Sequence, residues 1–210
     1  GKTAVIDMAS ASGLLLVPED RRNPMRTITY GTGDLIRAAL DHGCKHIVVG
    51  IGGSSTTDCG MGMAQALGVK FFSSQGTGID PPATGRDMLS VEKISTADRH
   101  PRLNEATISV ACDVQNVLFG EEGAAFVYGP QKGASDEEVR ELDRGLRHMA
   151  EVIERDLGIA VANLPGAGAA GGLGAGLVAF CGAQLVSGID MVLKTIGFAD
   201  KIRGADLILT

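Results

Sequence analysis

The sequence predicts an α/β protein, mainly a parallel sheet with flanking helices and glycine-rich loops at its strand ends. Three observations carry this expectation. Short β-branched runs without polar alternation, such as Ile47, Val48 and Val49, are interleaved with segments of helical period. Glycine supplies 30 of 210 residues, about 14% and roughly twice average usage, gathered in turns rather than in a repeat. The stretch 45–62, KHIVVGIGGSSTTDCGMG, passes from an apolar run through glycines and hydroxyls into a helical pattern, as a strand does when it delivers a ligand loop.

Residues 3–8 (TAVIDM) read as a buried strand. Ser10 and Ser12 follow at its carboxyl end, where open α/β sheets place their sites, although small residues there also simply permit close packing. The charged, proline-bounded segment 18–24 reads as a surface connection. Thr32 is expected to cap a helix running to His42, with Leu35, Ile36, Ala39 and Leu40 on one face and Gly43 as its stop. Ile47–Val49 form the next strand, covered on both faces if the sheet is parallel. A helix over 61–67 ends at Gly68, and a strand over 69–72 leads into a glycine- and proline-rich loop or lid over 73–85. The period over 89–94 is ambiguous between helix and strand, whereas 106–112 (ATISVAC) is a strand.

Ser135 and Glu138 form a capping box for the longest helix, which runs to Leu157 before Gly158 and buries Val139, Leu142, Leu146, Met149 and Ile153. The second glycine cluster, 164–176 (LPGAGAAGGLGAG), wraps a ligand or a tightly packed helix start. Ala, Leu and Val continue the run without the polar break of a linker. A helix over 177–181 ends at Gly182, another over 189–196 follows Asp190 as its cap, and 205–210 reads as a final strand. A chain that enters and leaves by strands is expected to be a piece of a longer protein.

Composition narrows the function. A net charge of −6 and a pI near 5.2 give no basic footprint for nucleic acid and no polybasic face for a membrane. Aromatics at 4%, without tryptophan, give no base-stacking platform. Cys44, Cys59, Cys112 and Cys181 are widely spaced without a CxxC pair, so neither zinc nor a disulfide framework is indicated and a reducing cytoplasm fits best. The scattered His42, His46, His100 and His148 read as surface or turn residues. No segment is apolar for long enough to span a bilayer.

The central loop is the first candidate site. Gly52 and Gly53 let the backbone approach a ligand, Ser54, Ser55 and Thr56 offer hydroxyls, and the helix behind them favours an anion. Asp58 suits either of two parts, capping that helix or holding a metal ion. Two known loops do not fit. GIGGSS lacks the third glycine of GxGxxG and no acid lies at the ribose offset, which disfavours a Rossmann dehydrogenase, and Gly1-Lys2-Thr3 has no glycine-rich run before it to make a Walker A loop. A second candidate is CDVQN. Asp113 at a strand's carboxyl end is placed to bind Mg²⁺ or accept a hydroxyl proton, with Asn116 assisting, although an Asp/Asn turn satisfying its own backbone has the same look. Lys132 offers a point charge for a phosphate, or a solvated loop lysine.

Taken together, TAVIDMASASGL, TYGTGDLIRAALDHG, GIGGSSTTDCGMGMAQALG, ACDVQNVLFGEEGAAFVYGPQKGA and PGAGAAGGLGAGLVAFCGAQLVSGID, in this order, resemble the bacterial-type glycerate kinase family. The resemblance implies two α/β domains with a cleft between them, a need for ATP and Mg²⁺, and D-glycerate as substrate, with 2- or 3-phosphoglycerate as product. It covers the whole chain but only the middle of a family member, which would have a further segment on each side. Where members usually carry Asn and Gly, this chain has Thr57 and Cys59. Residues 1–68 are then expected to belong to a Rossmann-like or flavodoxin-like domain, 69–204 to a second α/β domain, and 205–210 to a strand returning to the first.

Phosphoryl transfer needs amides, hydroxyls, a carboxylate and positioned charge. On this reading the loop from Gly52 to Thr56 contacts phosphate, Asp58 or Asp113 holds Mg²⁺ or takes the hydroxyl proton, and Gly168, Gly171 and Gly172 form the facing wall. A rival expectation is a non-catalytic α/β module that binds a small anion or self-associates, in the simplest case as a homodimer.

Overall fold

The computed structural model describes residues 1–205, 207 and 208, with Thr195 described by its backbone alone. Its strands and helices run β1 (Lys2–Asp7), α1 (Ala9–Ser12), α2 (Tyr30–Asp41), β2 (Cys44–Gly50), α3 (Met61–Ala66), β3 (Lys70–Phe72), β4 (Lys93–Ser95), β5 (Thr107–Ala111), α4 (Ala124–Tyr128), α5 (Asp136–Leu157), α6 (Ala169–Cys181), β6 (Gln184–Val186), α7 (Gly188–Thr195) and α8 (Phe198–Lys201). Asp206, Leu209 and Thr210, half of the strand expected over 205–210, lie outside the described residues.

β1, β2, β5 and β6 form one all-parallel sheet in that order, and β3 pairs with β4 in a separate antiparallel ribbon. Strands on either side of residue 68 thus share a single sheet. Its register places Asp7, Gly50, Ala111 and Val186 in one row at the carboxyl edge, so the segments that leave the strands emerge side by side.

The sheet differs from the expectation of cover on both faces. Ile6, Ile47, Val49, Ile108 and Val110 are buried, while the alternate positions Thr3, Val5, His46 and Thr107 are exposed, Val5 by 79%. Cβ atoms alternate across a strand, so this pattern means that the described helices pack on one face only. The apolar run at 47–49 hid the alternation because Val48, on the open face, is itself apolar and half-buried.

α5 matches its sequence signals at both ends. Ser135 Oγ accepts from the Glu138 amide, the Glu138 carboxylate accepts from the Ser135 amide, and Gly158 closes the helix in left-handed backbone. Its five expected apolar positions are buried, each contributing roughly 1.5–3 kcal/mol. α2 begins at Tyr30, two residues before the expected Thr32 cap. Thr32 instead lies buried inside the helix with its hydroxyl 2.9 Å from Ser12 Oγ. α7 is capped by Ser187, whose Oγ accepts from the Asp190 amide, so Asp190 is a first-turn residue rather than the cap. The ambiguous stretch at 89–94 divides between a 3-10 turn ending at Ser90 and β4.

Candidate functional site

A cavity of about 500 Å³ opens beyond the carboxyl edge of the parallel sheet. The loop after β2 supplies Gly52, Gly53 and Ser54, the end of β5 supplies Cys112 and Asp113, and the turn after α4 supplies Gln131 and Lys132. Tyr128 and the first residues of α6, Ala169 and Ala170, complete the wall. The β2 loop is pinned from behind. The Leu14 amide donates to the Gly53 carbonyl at 2.8 Å, and both the amide and hydroxyl of Ser55 donate to the Ser12 carbonyl, at 3.0 and 2.9 Å. A Cβ on Gly52 would meet nothing within 4 Å, so its outer side faces open space.

Lys132 is not solvated. It is 2% exposed, and its Nζ donates to the Thr56 carbonyl at 2.7 Å. That carbonyl also accepts from Thr57 Oγ1 at 2.9 Å, while Thr56 Oγ1 is buried with no partner among the described residues. Burial pushes the Lys132 amine down to about 7, and the charge of Asp58 opposes that shift.

Asp113 stands exposed at the rim and is the one carboxylate in the described cavity wall. Its Oδ1 accepts from the amides of Gly188 and Ile189, at 2.8 and 3.3 Å, and from Ser187 Oγ at 3.4 Å. No hydrogen bond among the described residues falls on Oδ2. Among those residues no group of three or more His, Cys, Asp or Glu could hold a metal ion by itself. Mg²⁺ commonly takes one or two carboxylates together with substrate phosphates, and Asp113 fits that arrangement.

Asp58 lies elsewhere. It is fully buried, with Oδ2 accepting from the Thr29 amide, Thr29 Oγ1 and the Gly62 amide at 2.9, 2.7 and 3.3 Å, and Oδ1 from the Gly60 amide at 3.1 Å. Burial raises its pKa and the four donors pull it back. The geometry is that of the capping alternative: Asp58 joins the start of α3 to the residue preceding α2.

Of the other expected residues, Ser12, Ser55 and Thr56 are buried in the loop's support, and Ser10 is exposed with its hydroxyl on the Asp7 carbonyl at 2.7 Å. Asn116 is a brace, donating to the Glu122 carbonyl at 2.8 Å and accepting from Tyr128 OH at 2.7 Å. Gly168, Gly171 and Gly172 face protein rather than the cavity. A Cβ on Gly171 would come within 2.0 Å of the Thr56 carbonyl, and one on Gly168 within 2.2 Å of the Val117 carbonyl. The second glycine cluster thus packs onto the first, and the adjacent Ala169 and Ala170 reach the cavity.

Sequence reasoning placed Gly52, Gly53, Ser54, Asp113 and Lys132, which the fold brings together, and missed Tyr128 and Gln131. Gln131 carried a usable signal as the neighbour of Lys132. Tyr128 carried none, since its approach to Asn116 spans a loop whose path no local pattern reveals.

A cavity beyond the carboxyl edge of a parallel sheet, with a glycine loop, a carboxylate and a buried lysine set among apolar side chains, defines an α/β protein of the small-ligand-binding class. More particularly, the chain belongs to the glycerate kinase family, whose model matches residues 1–210. It is 51% identical over 209 residues to a glycerate kinase of Halalkalibacterium halodurans, covering 100% of this chain and 54% of the relative. It is 48% identical over 210 residues to the glycerate 2-kinase of Escherichia coli K12, covering 100% and 55%. A crystal structure assigned to glycerate kinase 2 of Salmonella typhimurium LT2 superposes with a TM-score of 0.90 at 47% identity, over 97% of this chain and 54% of that one. The chain therefore spans about half the length of the curated relatives it matches.

Proposed function

We propose that this chain carries the ligand cavity of an enzyme that transfers a phosphoryl group from ATP to D-glycerate. The observation that supports it most is the convergence of Gly52, Gly53, Ser54, Asp113 and Lys132 on one cavity, in a chain close to several proteins named glycerate kinase. The relative named glycerate 2-kinase favours the 2-hydroxyl as acceptor. The loop amides and Ser54 hold phosphate oxygens, Lys132 supplies positive charge, and Asp113 orients the acceptor hydroxyl or takes its proton. Mg²⁺, held by Asp113 and the donor phosphates, would screen the charge of the transferring group. Asp58 holds the loop rather than the ligand.

The named relatives favour this reading over a non-catalytic module. No described helix is long and apolar enough to cross a membrane, and a cytoplasmic location belongs to the same proposal. So does a homodimer, for which Ile189, Val192 and Ile196 offer exposed apolar surface. The test is thermal unfolding of the chain with MgATP, D-glycerate, both and neither. A ligand at a hundred times its Kd adds about 2.7 kcal/mol to stability. Stabilisation by MgATP that deepens with D-glycerate is expected, and no shift with any combination would overturn the proposal.

A further inference from the structure

We propose that the oxyanion group bound in this cavity is met by a proton taken up on Lys132 Nζ, so that ligand binding and protonation form one linked event. The inference deepens the kinase reading and rests on it for the identity of the ligands.

The geometry is that of an amine without a counter-ion. Nζ has three donor positions, and its one hydrogen bond among the described residues goes to the Thr56 carbonyl, a neutral acceptor. Lys132 takes part in no ion pair among those residues. The titratable groups around it are few. Asp58 lies behind Thr56 on the β2 loop, with its carboxylate already engaged by Thr29, Gly60 and Gly62. Asp113 and Cys112 stand on the β5 wall and Tyr128 on the α4 wall. On the far side of the turn, Gly133 packs against the backbone carbonyl of Arg22, whose guanidinium is engaged by Glu19 and the Val17 carbonyl. Burial pushes the amine down to about 7, which weakens its hold on the proton near neutral pH. An entering oxyanion supplies the missing opposite charge and draws a proton from solvent onto Nζ. The oxyanion is a phosphoryl group of the donor or the carboxylate of the acceptor.

Calorimetry of the chain at pH 8, in two cationic buffers of different ionisation enthalpy, counts the protons. Sulfate probes the phosphoryl position and D-glycerate the carboxylate position, since neither titrates between pH 7 and 9. The expected result is uptake of a large part of one proton in one arm, which thereby identifies the source of the oxyanion, with affinity falling up to about tenfold per pH unit as the amine loses its proton. In Lys132→Arg, whose guanidinium stays charged, uptake should vanish and affinity should become flat with pH. Lys132→Met should unfold cooperatively and bind with no uptake, which separates charge from packing. Zero uptake in both wild-type arms, or uptake that persists in either variant, would overturn the inference. If MgATP and D-glycerate still stabilise the chain, the kinase reading survives that loss; if nothing binds, both fall.

Discussion

The amide of Cys59 donates to the carbonyl of Gly171 at 3.2 Å, and both residues lie in left-handed backbone, at φ of 54° and 68°. This contact ties the two glycine clusters together, 112 residues apart in sequence, and holds the Thr56 carbonyl where Lys132 can reach it.

Gly171→Ala should therefore destabilise the chain by about 2–4 kcal/mol, combining a left-handed penalty with a Cβ driven into the Thr56 carbonyl. Cys59 should invert the usual order of small substitutions. Cys59→Gly relieves the left-handed strain, whereas Cys59→Ala keeps it and loses the buried thiol, so the glycine variant should be the more stable of the two. Urea unfolding midpoints measure both, and a more stable alanine variant would mean that the strain is not there.

Asp58 and Asp113 should separate cleanly. Asp58→Asn turns an amide donor toward groups that are all donors and should cost about 3 kcal/mol or more in stability. Asp113→Asn keeps an acceptor for Gly188 and Ile189, so stability should change by less than about 1 kcal/mol while turnover of D-glycerate falls 10²-fold or more, roughly the scale of a lost acid–base group. Full turnover in Asp113→Asn would remove Asp113 from the mechanism.

Without ligand, stability should rise with pH across the upper neutral range. Lys132 has a native pKa of about 7 against 10.5 in the unfolded chain, so between those values the unfolded state holds a proton that the native state lacks. Unfolding free energy then increases through that window and is flat below it. The difference between wild type and Lys132→Met, taken at pH 6, 7, 8 and 9, isolates this contribution; a difference independent of pH would contradict it.

Gly52→Ala should leave stability within about 0.5 kcal/mol, because the added methyl meets open space. If the loop cradles phosphate, the same methyl stands in the ligand's path, and KM for ATP should rise at least tenfold with kcat less affected.

What the sequence made legible was local. The capping box at Ser135 and the stop at Gly158 act over one helical turn, and both ends of α5 follow from them. The strand-to-loop transition at 47–53 was equally readable, as was an acid at the end of β5. The burial of Lys132 was not, because the Thr56 carbonyl that holds it lies 76 residues away and a loop lysine is ordinarily solvated. For the same reason the sequence left both parts open for Asp58, capping the helix and holding a metal ion. Its four donors come from Thr29 and from a tight turn, and neither contact leaves a periodic mark in the sequence. The glycines at 168, 171 and 172 signalled a close approach correctly without revealing what approaches them.

Asp113 also has a mechanical connection. The Oδ1 atom of this rim carboxylate is the acceptor for the first amides of α7, so whatever draws the carboxylate inward competes with the helix for it. Filling the cavity would then be felt at Gly188 and Ile189 as faster amide exchange with solvent, and the exposed apolar residues of α7 would loosen or tighten with ligand occupancy, which makes this helix an outside reporter of events within.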